Sequence, residues 1–110
     1  MTRKSGALLQ GTVDVLILTT LADGPTHGYG VSRAIRERTE GVVGLEDAAL
    51  YQALHRLEAR GWIEAEWGLS ENKRRAKYYW LTPKGHTHLR GAAAAWREHA
   101  KAVFKVLDHP

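Results

Sequence analysis

The stretch Asp47–Arg60, DAALYQALHRLEAR, constrains this chain more than any other. Leu50, Ala53, Leu54 and Leu57 fall at i, i+3, i+4 and i+7, the spacing that lines up one apolar stripe on a helix. At about 100° per residue, the opposite meridian carries Ala48, Gln52, His55 and Ala59, flanked by Tyr51 and Arg56. That outer face has few acids and small residues at both ends. Between them lie side chains that can meet base edges. Gln52 can pair with adenine through two hydrogen bonds, and His55 can donate or accept. Arg56 can reach guanine or a phosphate, and Tyr51 a phosphate. Each also has a plainer reading, Gln52 and His55 as ordinary surface residues and Tyr51 as a lid on the core with its hydroxyl in water. The order of the surrounding elements has to decide.

Upstream, Leu8–Ala22 predicts a first helix. Leu9, Val13, Leu16 and Leu21 share one side, and Val15, Ile17 and Leu18 broaden the apolar surface, so the helix is expected to be contacted on more than one side. Residues 1–6 are polar and are expected to fray. Asp23-Gly24-Pro25 ends the helix. His27–Thr39 predicts a second helix with Thr26 as N-cap and with Tyr29, Val31, Ala34 and Ile35 inward. Gly28 and Gly30 each lower its helicity by up to about 1 kcal/mol relative to alanine, which implies close packing near its start. Val42–Glu46 is a connector, and Gly61 is the stop residue of the third helix.

Trp62–Trp67 alternates, with Ile63, Ala65 and Trp67 on one face and Trp62, Glu64 and Glu66 on the other. Lys77–Leu81 is a second strand. The polar loop Gly68–Ala76 joins them into a hairpin whose tip carries Lys73, Arg74 and Arg75, with Lys77 just beyond. Thr82-Pro83 gives an N-cap and a first-turn proline for a long helix, Pro83–Leu107. At 1.5 Å per residue it would reach about 37 Å. Along it Leu89, Trp96 and Val103 recur every seven residues, as do Ala93, Ala100 and Leu107, which together make a short a/d seam.

Helix, helix, turn, helix, strand, basic loop, strand, long helix is the layout of a winged helix-turn-helix. The expected fold class is therefore mainly α with a small β-hairpin. A DNA-binding domain is expected over residues 7–82 and a dimerisation helix over 83–108. In such a domain the third helix enters the major groove, where slim residues are needed at closest approach and polar ones at base edges. The wing tip supplies positive charge to the backbone or minor groove, although the same run also suits a solvated loop.

Composition narrows the alternatives. The chain has 110 residues, enough for one domain with its own core, and no cysteine, so disulfide and thiolate chemistry are excluded. Its net charge of +4 favours polyanions modestly, and the concentration of charge at the hairpin tip says more. The apolar run Val15–Leu18 is too short to span a bilayer, and the N-terminus lacks the pattern of a secretory signal, so the expected location is the cytoplasm, away from membranes. There is no Gly-rich phosphate loop and no paired carboxylates in an identifiable pocket, so an enzyme is not expected and no cofactor is implied. Asp14 reads most simply as a surface or dimer-contact acid. Among the six histidines, His86, His88 and His99 do not converge at metal-ligand spacing, and no metal site is expected within the chain. A winged-helix adaptor that binds protein rather than DNA is the competing class.

The strings LLQGTVDVLILTTL at 8–21, HGYGVSRAI at 27–35, ALYQALHRLEARGWIEAEW at 49–67 and SENKRRAKYYWLTPKG at 70–85 make the match specific. In that order and spacing the chain resembles the PadR family of transcriptional regulators. The resemblance implies a homodimeric winged-helix repressor of double-stranded DNA, similar to the short subgroup with one C-terminal dimerisation helix. Tyr29 matches the tyrosine of the GYG motif, Tyr51 the tyrosine of the recognition helix, Arg56 and Leu57 the R-L pair, and Lys73 and Arg74 the basic wing. The chain departs from the family pattern at Ala49, where threonine is common, at Gln52, where proline is common, and at Trp80, where a polar residue is more usual. In multidrug-responsive members a tryptophan of the last helix stacks on flat hydrophobic drugs. By resemblance Trp96 would bind a small hydrophobic or aromatic effector. A tryptophan beside Ala92, Ala93 and Ala100 equally suits a plain dimer-interface anchor.

Overall fold

The apolar stripes of the first three helices converge on one core, and the hairpin closes its open side. A computed structural model of the chain describes residues 2–109, with side chains from Gly11 to His109, so Leu9 lies outside the described side chains. The elements are α1 (Thr2–Ala22), β1 (Thr26–His27), α2 (Gly28–Arg38), α3 (Asp47–Ala59), β2 (Ile63–Leu69), β3 (Arg75–Leu81) and α4 (Pro83–Leu107). This is the expected class, mainly α with a hairpin, with one strand more. α1 supplies Ile17, Leu18 and Leu21 to the core, α2 supplies Val31 and Ile35, and the sheet supplies Ile63, Tyr79 and Leu81. The whole predicted stripe of α3, Leu50, Ala53, Leu54 and Leu57, is at most 2% exposed. Val13 and Leu16 pack against the margin of the core, and α1 touches α2, α3, β3 and α4, which is the many-sided contact its broad apolar surface demanded.

The start of α2 differs from expectation. Thr26 is not its cap. Thr26 and His27 form β1, which pairs antiparallel with β3 opposite Tyr79 and Tyr78 and makes a sheet of order β1-β3-β2. The cap is His27, whose Nδ1 accepts a hydrogen bond from the Gly30 amide at 3.0 Å. Two residues before the buried Val31, Tyr29 falls on the opposite side of α2, where it is 66% exposed, against its expected inward packing. The two glycines have the steric role their cost implied. A Cβ on Gly28 would come within 2.6 Å of the Tyr51 hydroxyl, and one on Gly30 within 2.1 Å of Thr26 Oγ1.

α3 ends as its glycine predicted. Gly61 has φ +77°, its amide donates to Glu58 O, and the Trp62 amide reaches back to Leu57 O. This double closure satisfies carbonyls that the last turn leaves open. The chain then enters the hairpin, where Ile63 pairs with Leu81, Ala65 with Tyr79 and Trp67 with Lys77. Burial fades along it, from Ile63 and Leu81 at the base to an exposed Trp67 and Leu69 near the tip. Trp67 is thus exposed, and the Arg75 guanidinium lies 4.5 Å from its ring centre. Trp62 is also displaced from the outer strand face. It precedes β2 and stacks on His88 of α4, with ring centroids 3.4 Å apart and planes 9° from parallel.

Thr82 joins the end of α3 to the start of α4. Its hydroxyl accepts from the Gly85 amide at 2.9 Å, capping α4, and donates to Gly61 O at 2.7 Å. Gly85 sits so close to this joint that a Cβ there would lie 1.9 Å from the Trp62 carbonyl oxygen. Gly85→Ala must therefore move backbone, and should cost about 1–3 kcal/mol or more, seen as a fall in the urea midpoint. Gly91 lies in the same helix, and a Cβ added there would meet nothing within 4 Å. Gly91→Ala should raise the midpoint, by up to about 1 kcal/mol of stability. Equal responses at the two positions would contradict the packing described for Gly85.

Candidate nucleic-acid interface

Burial of the α3 stripe leaves Ala48, Gln52, His55 and Ala59 exposed together on the outer face. The two flanks of the helix are held differently. Tyr51 and Glu58 lie on one flank. Tyr51 is 49% exposed and crosses the start of α2, passing over Gly28. Glu58 accepts from Lys77 Nζ of β3 at 3.3 Å, which withdraws that lysine from the wing's basic cluster.

Arg56 occupies the other flank, and here the structure corrects the sequence reading. Its guanidinium does not project from the outer face toward a groove. It donates to the Asp14 carboxylate of α1 in an ion pair whose side chains are only 30% and 18% exposed. Asp14 is accordingly no free surface acid. The signal lies in the sequence, because a carboxylate set among Val13, Val15, Leu16 and Ile17 on a helix packed on several sides needs a partner. Burial pushes the Asp14 carboxyl above its ordinary value of 3.8, outweighing the opposing pull of the Arg56 hydrogen bond and charge.

The wing is a tight hairpin. The Ser70 amide donates to Arg74 O and the Lys73 amide to Ser70 O, both at 2.8 Å, with Lys73 at φ +58°. Lys73, Arg74 and Arg75 are all exposed. Between wing, α2 and α3 lies an open cleft of about 800 Å³ lined by Tyr29, Arg33, Tyr51, Trp67, Arg74 and Arg75 among others. The cleft brings together Tyr29, Tyr51, Arg74 and Arg75, which the sequence reading singled out separately. It adds Arg33 and Trp67, which that reading missed. Arg33 carries an ion pair to Glu37 at 2.7 Å. Phenol hydroxyls and guanidinium groups are donors that phosphates and base edges accept from, and slim residues on an exposed helix allow close approach.

On α4, Trp96 Nε1 donates to Thr12 Oγ1 of α1 at 2.9 Å, and the indole is 42% exposed. The seam read from the sequence is divided. Leu89 packs half-buried against the chain's own core, Ala93 and Ala100 are half-buried, and Val103 and Leu107 are exposed. Among the described residues no three His, Cys, Asp or Glu side chains gather for a metal ion, and no helix is long and apolar enough to cross a membrane.

The Asp14 carboxyl gives a pH test. A folded-state value raised above the unfolded one means that the folded chain binds the proton more tightly. The resulting stabilisation is full below pH 3.8 and is lost as pH rises through the folded-state value. Urea unfolding of wild type and Asp14→Asn over a pH series should therefore show the wild type gaining ground as pH falls toward 3.8. A difference that moves the other way on acidification would refute the raised carboxyl.

Known proteins share this architecture. The model of the transcriptional regulator PadR-like family matches residues 17–91, which include α2, α3, both hairpin strands and the start of α4. An uncharacterized protein X of Lysinibacillus sphaericus is 31% identical over 101 residues, 92% of this chain and 89% of its own length. The structure of a transcriptional regulator from Clostridium thermocellum superposes with a TM-score of 0.80 at 32% identity, covering 90% of this chain and 93% of that one. A PadR family transcription regulator from Clostridium difficile superposes with a TM-score of 0.73 at 31% identity, covering 86% and 97%. With the family model spanning α3 and the hairpin, this chain belongs to the PadR-like family of DNA-binding transcriptional regulators.

Proposed function

We propose that the protein is a homodimeric repressor that binds a pseudo-palindromic operator in the cytoplasm and releases it when a small hydrophobic or aromatic effector engages α4. The observation that carries the DNA-reading part is the exposed quartet Ala48, Gln52, His55 and Ala59, set back to back with the buried stripe of α3 and bordered by the basic wing. Gln52 is the base reader, through the paired hydrogen bonds an amide makes with adenine, and His55 assists. Ala48 and Ala59 permit close approach. Tyr29, Tyr51, Lys73, Arg74 and Arg75 contact the sugar-phosphate backbone. Two copies related by a two-fold axis would set half-site centres about 34–36 Å apart, or a multiple of that. Support for the second copy comes from the exposed Val103, Phe104, Val106 and Leu107 at the end of α4, an apolar surface that a lone chain leaves wet.

Gel shifts against the promoter of the protein's own gene cluster, with competitor DNA, test the reading. Gln52→Ala should weaken specific binding by about 1–3 kcal/mol and relax base preference at one position per half-site. Lys73→Ala should weaken all sequences alike and lower the salt slope by about 1. Unchanged specific binding by Gln52→Ala would remove α3 as the reading element. For the effector, a planar aromatic compound that releases DNA should quench the fluorescence of wild type more than that of Trp96→Phe. Equal quenching in both would remove Trp96 from the effector site.

A further inference from the structure

We propose that Asp14 and Arg56 form a positioning pair that fixes the roll of α3 against α1, so that Arg56 serves operator binding through Asp14 and not by touching DNA. The inference rests on α3 being the recognition helix.

The angles of α3 motivate it. With the outer quartet centred on one meridian, Arg56 lies roughly 70–80° to one side, and Glu58 roughly as far to the other. Both flanks end in ion pairs to different parts of the fold. Arg56 meets Asp14 of α1, and Glu58 meets Lys77 of β3. The inner stripe of leucines gives attraction without direction, since apolar contact is non-directional and tolerates a few degrees of roll. A charged contact on each flank removes that freedom. The Arg56 pair is the stronger constraint, because it is the more enclosed one and the guanidinium presents fixed planar donors. A few degrees of roll at the helix axis would swing Gln52 sideways by an appreciable fraction of a hydrogen-bond length, enough to spoil a two-bond contact with a base.

The surroundings of the pair extend this reading. A small pocket beside it is lined by Asp14, Arg56, Arg60, Trp62, His88 and Ala92, so α1, α3 and α4 meet there. His88, stacked on Trp62, and Arg60 add positive potential at Asp14. Two residues before Asp14, Thr12 holds the indole of Trp96. α1 thus touches the candidate effector residue and the recognition helix within one short segment.

The test uses full-length protein, with operator and random DNA measured over a salt series. Asp14 belongs to α1 and not to the outer face. If it acted only as a nearby negative charge, Asp14→Asn would leave operator binding unchanged or tighten it. The positioning role predicts the opposite, an operator affinity lower by several-fold at a temperature where thermal melts show the variant folded. Random-DNA binding should be unchanged. Arg56→Ala should lose about tenfold or more of operator affinity with its salt slope intact, whereas loss of a phosphate contact would lower the slope by about 1. The charge-exchanged double variant Asp14→Arg, Arg56→Asp should recover part of the loss, although it puts an acid on the recognition helix. The proposal fails if Asp14→Asn binds operator as well as wild type or better, or if Arg56→Ala lowers the salt slope. Should the double variant not fold, these two single variants still decide. Gln52→Ala in the same assay separates the two failures. If it loses affinity while Asp14→Asn does not, only the positioning role falls; if neither loses affinity, the recognition-helix reading falls as well.

Discussion

The burial of one helix face sets the rest of this molecule. Leu50, Ala53, Leu54 and Leu57 are nearly inaccessible to solvent, and their burial leaves the other meridian of α3 no choice but to face outward. α1 and α2 are arranged around that stripe, and the sheet closes it with Ile63, Tyr79 and Leu81. The outer face needs no stabilising role of its own, so it is free to hold side chains chosen for what they bind. A helix with apolar residues all round would sit in the core, and one polar all round would have nothing to anchor it.

The stripe alone leaves α3 free to roll and to slide, and polar contacts remove those freedoms. Ion pairs grip its flanks, and the double closure at Gly61 fixes where it stops. Family membership brings the expectation of DNA reading, while the departures at Ala49 and Gln52 mark where this chain would recognise a sequence of its own. The cleft beside α3 gathers aromatic and cationic groups from α2, α3 and the wing that lie far apart in the chain.

Much of this is legible in the sequence because it depends on local rules. The α3 stripe, the Gly61 stop, the Thr82-Pro83 start and the length of α4 follow from periodicity and capping, and each is found. What escapes is non-local. β1 is two residues long and exists only through its partners on β3, so no pattern within Thr26–His27 announces it. The cap of α2 consequently sits one residue later than local rules place it, and Tyr29, two residues before the buried Val31, falls on the opposite side of the helix. The ion pair of Arg56 escapes for a related reason. Its neighbours in sequence suggest a groove contact, but its partner, Asp14, lies 42 positions away. Trp67 is exposed because the hairpin outgrows the core it packs on.

The joint at Thr82 has a mechanical consequence. One hydroxyl binds the last turn of α3 and the first turn of α4 together, and the Gly85 contact leaves no slack between them. α4 is therefore fixed at its base and packs along α1 beyond it. A tilt of about 5° there displaces a tip some 37 Å away by about 3 Å, given the rise of a 25-residue helix.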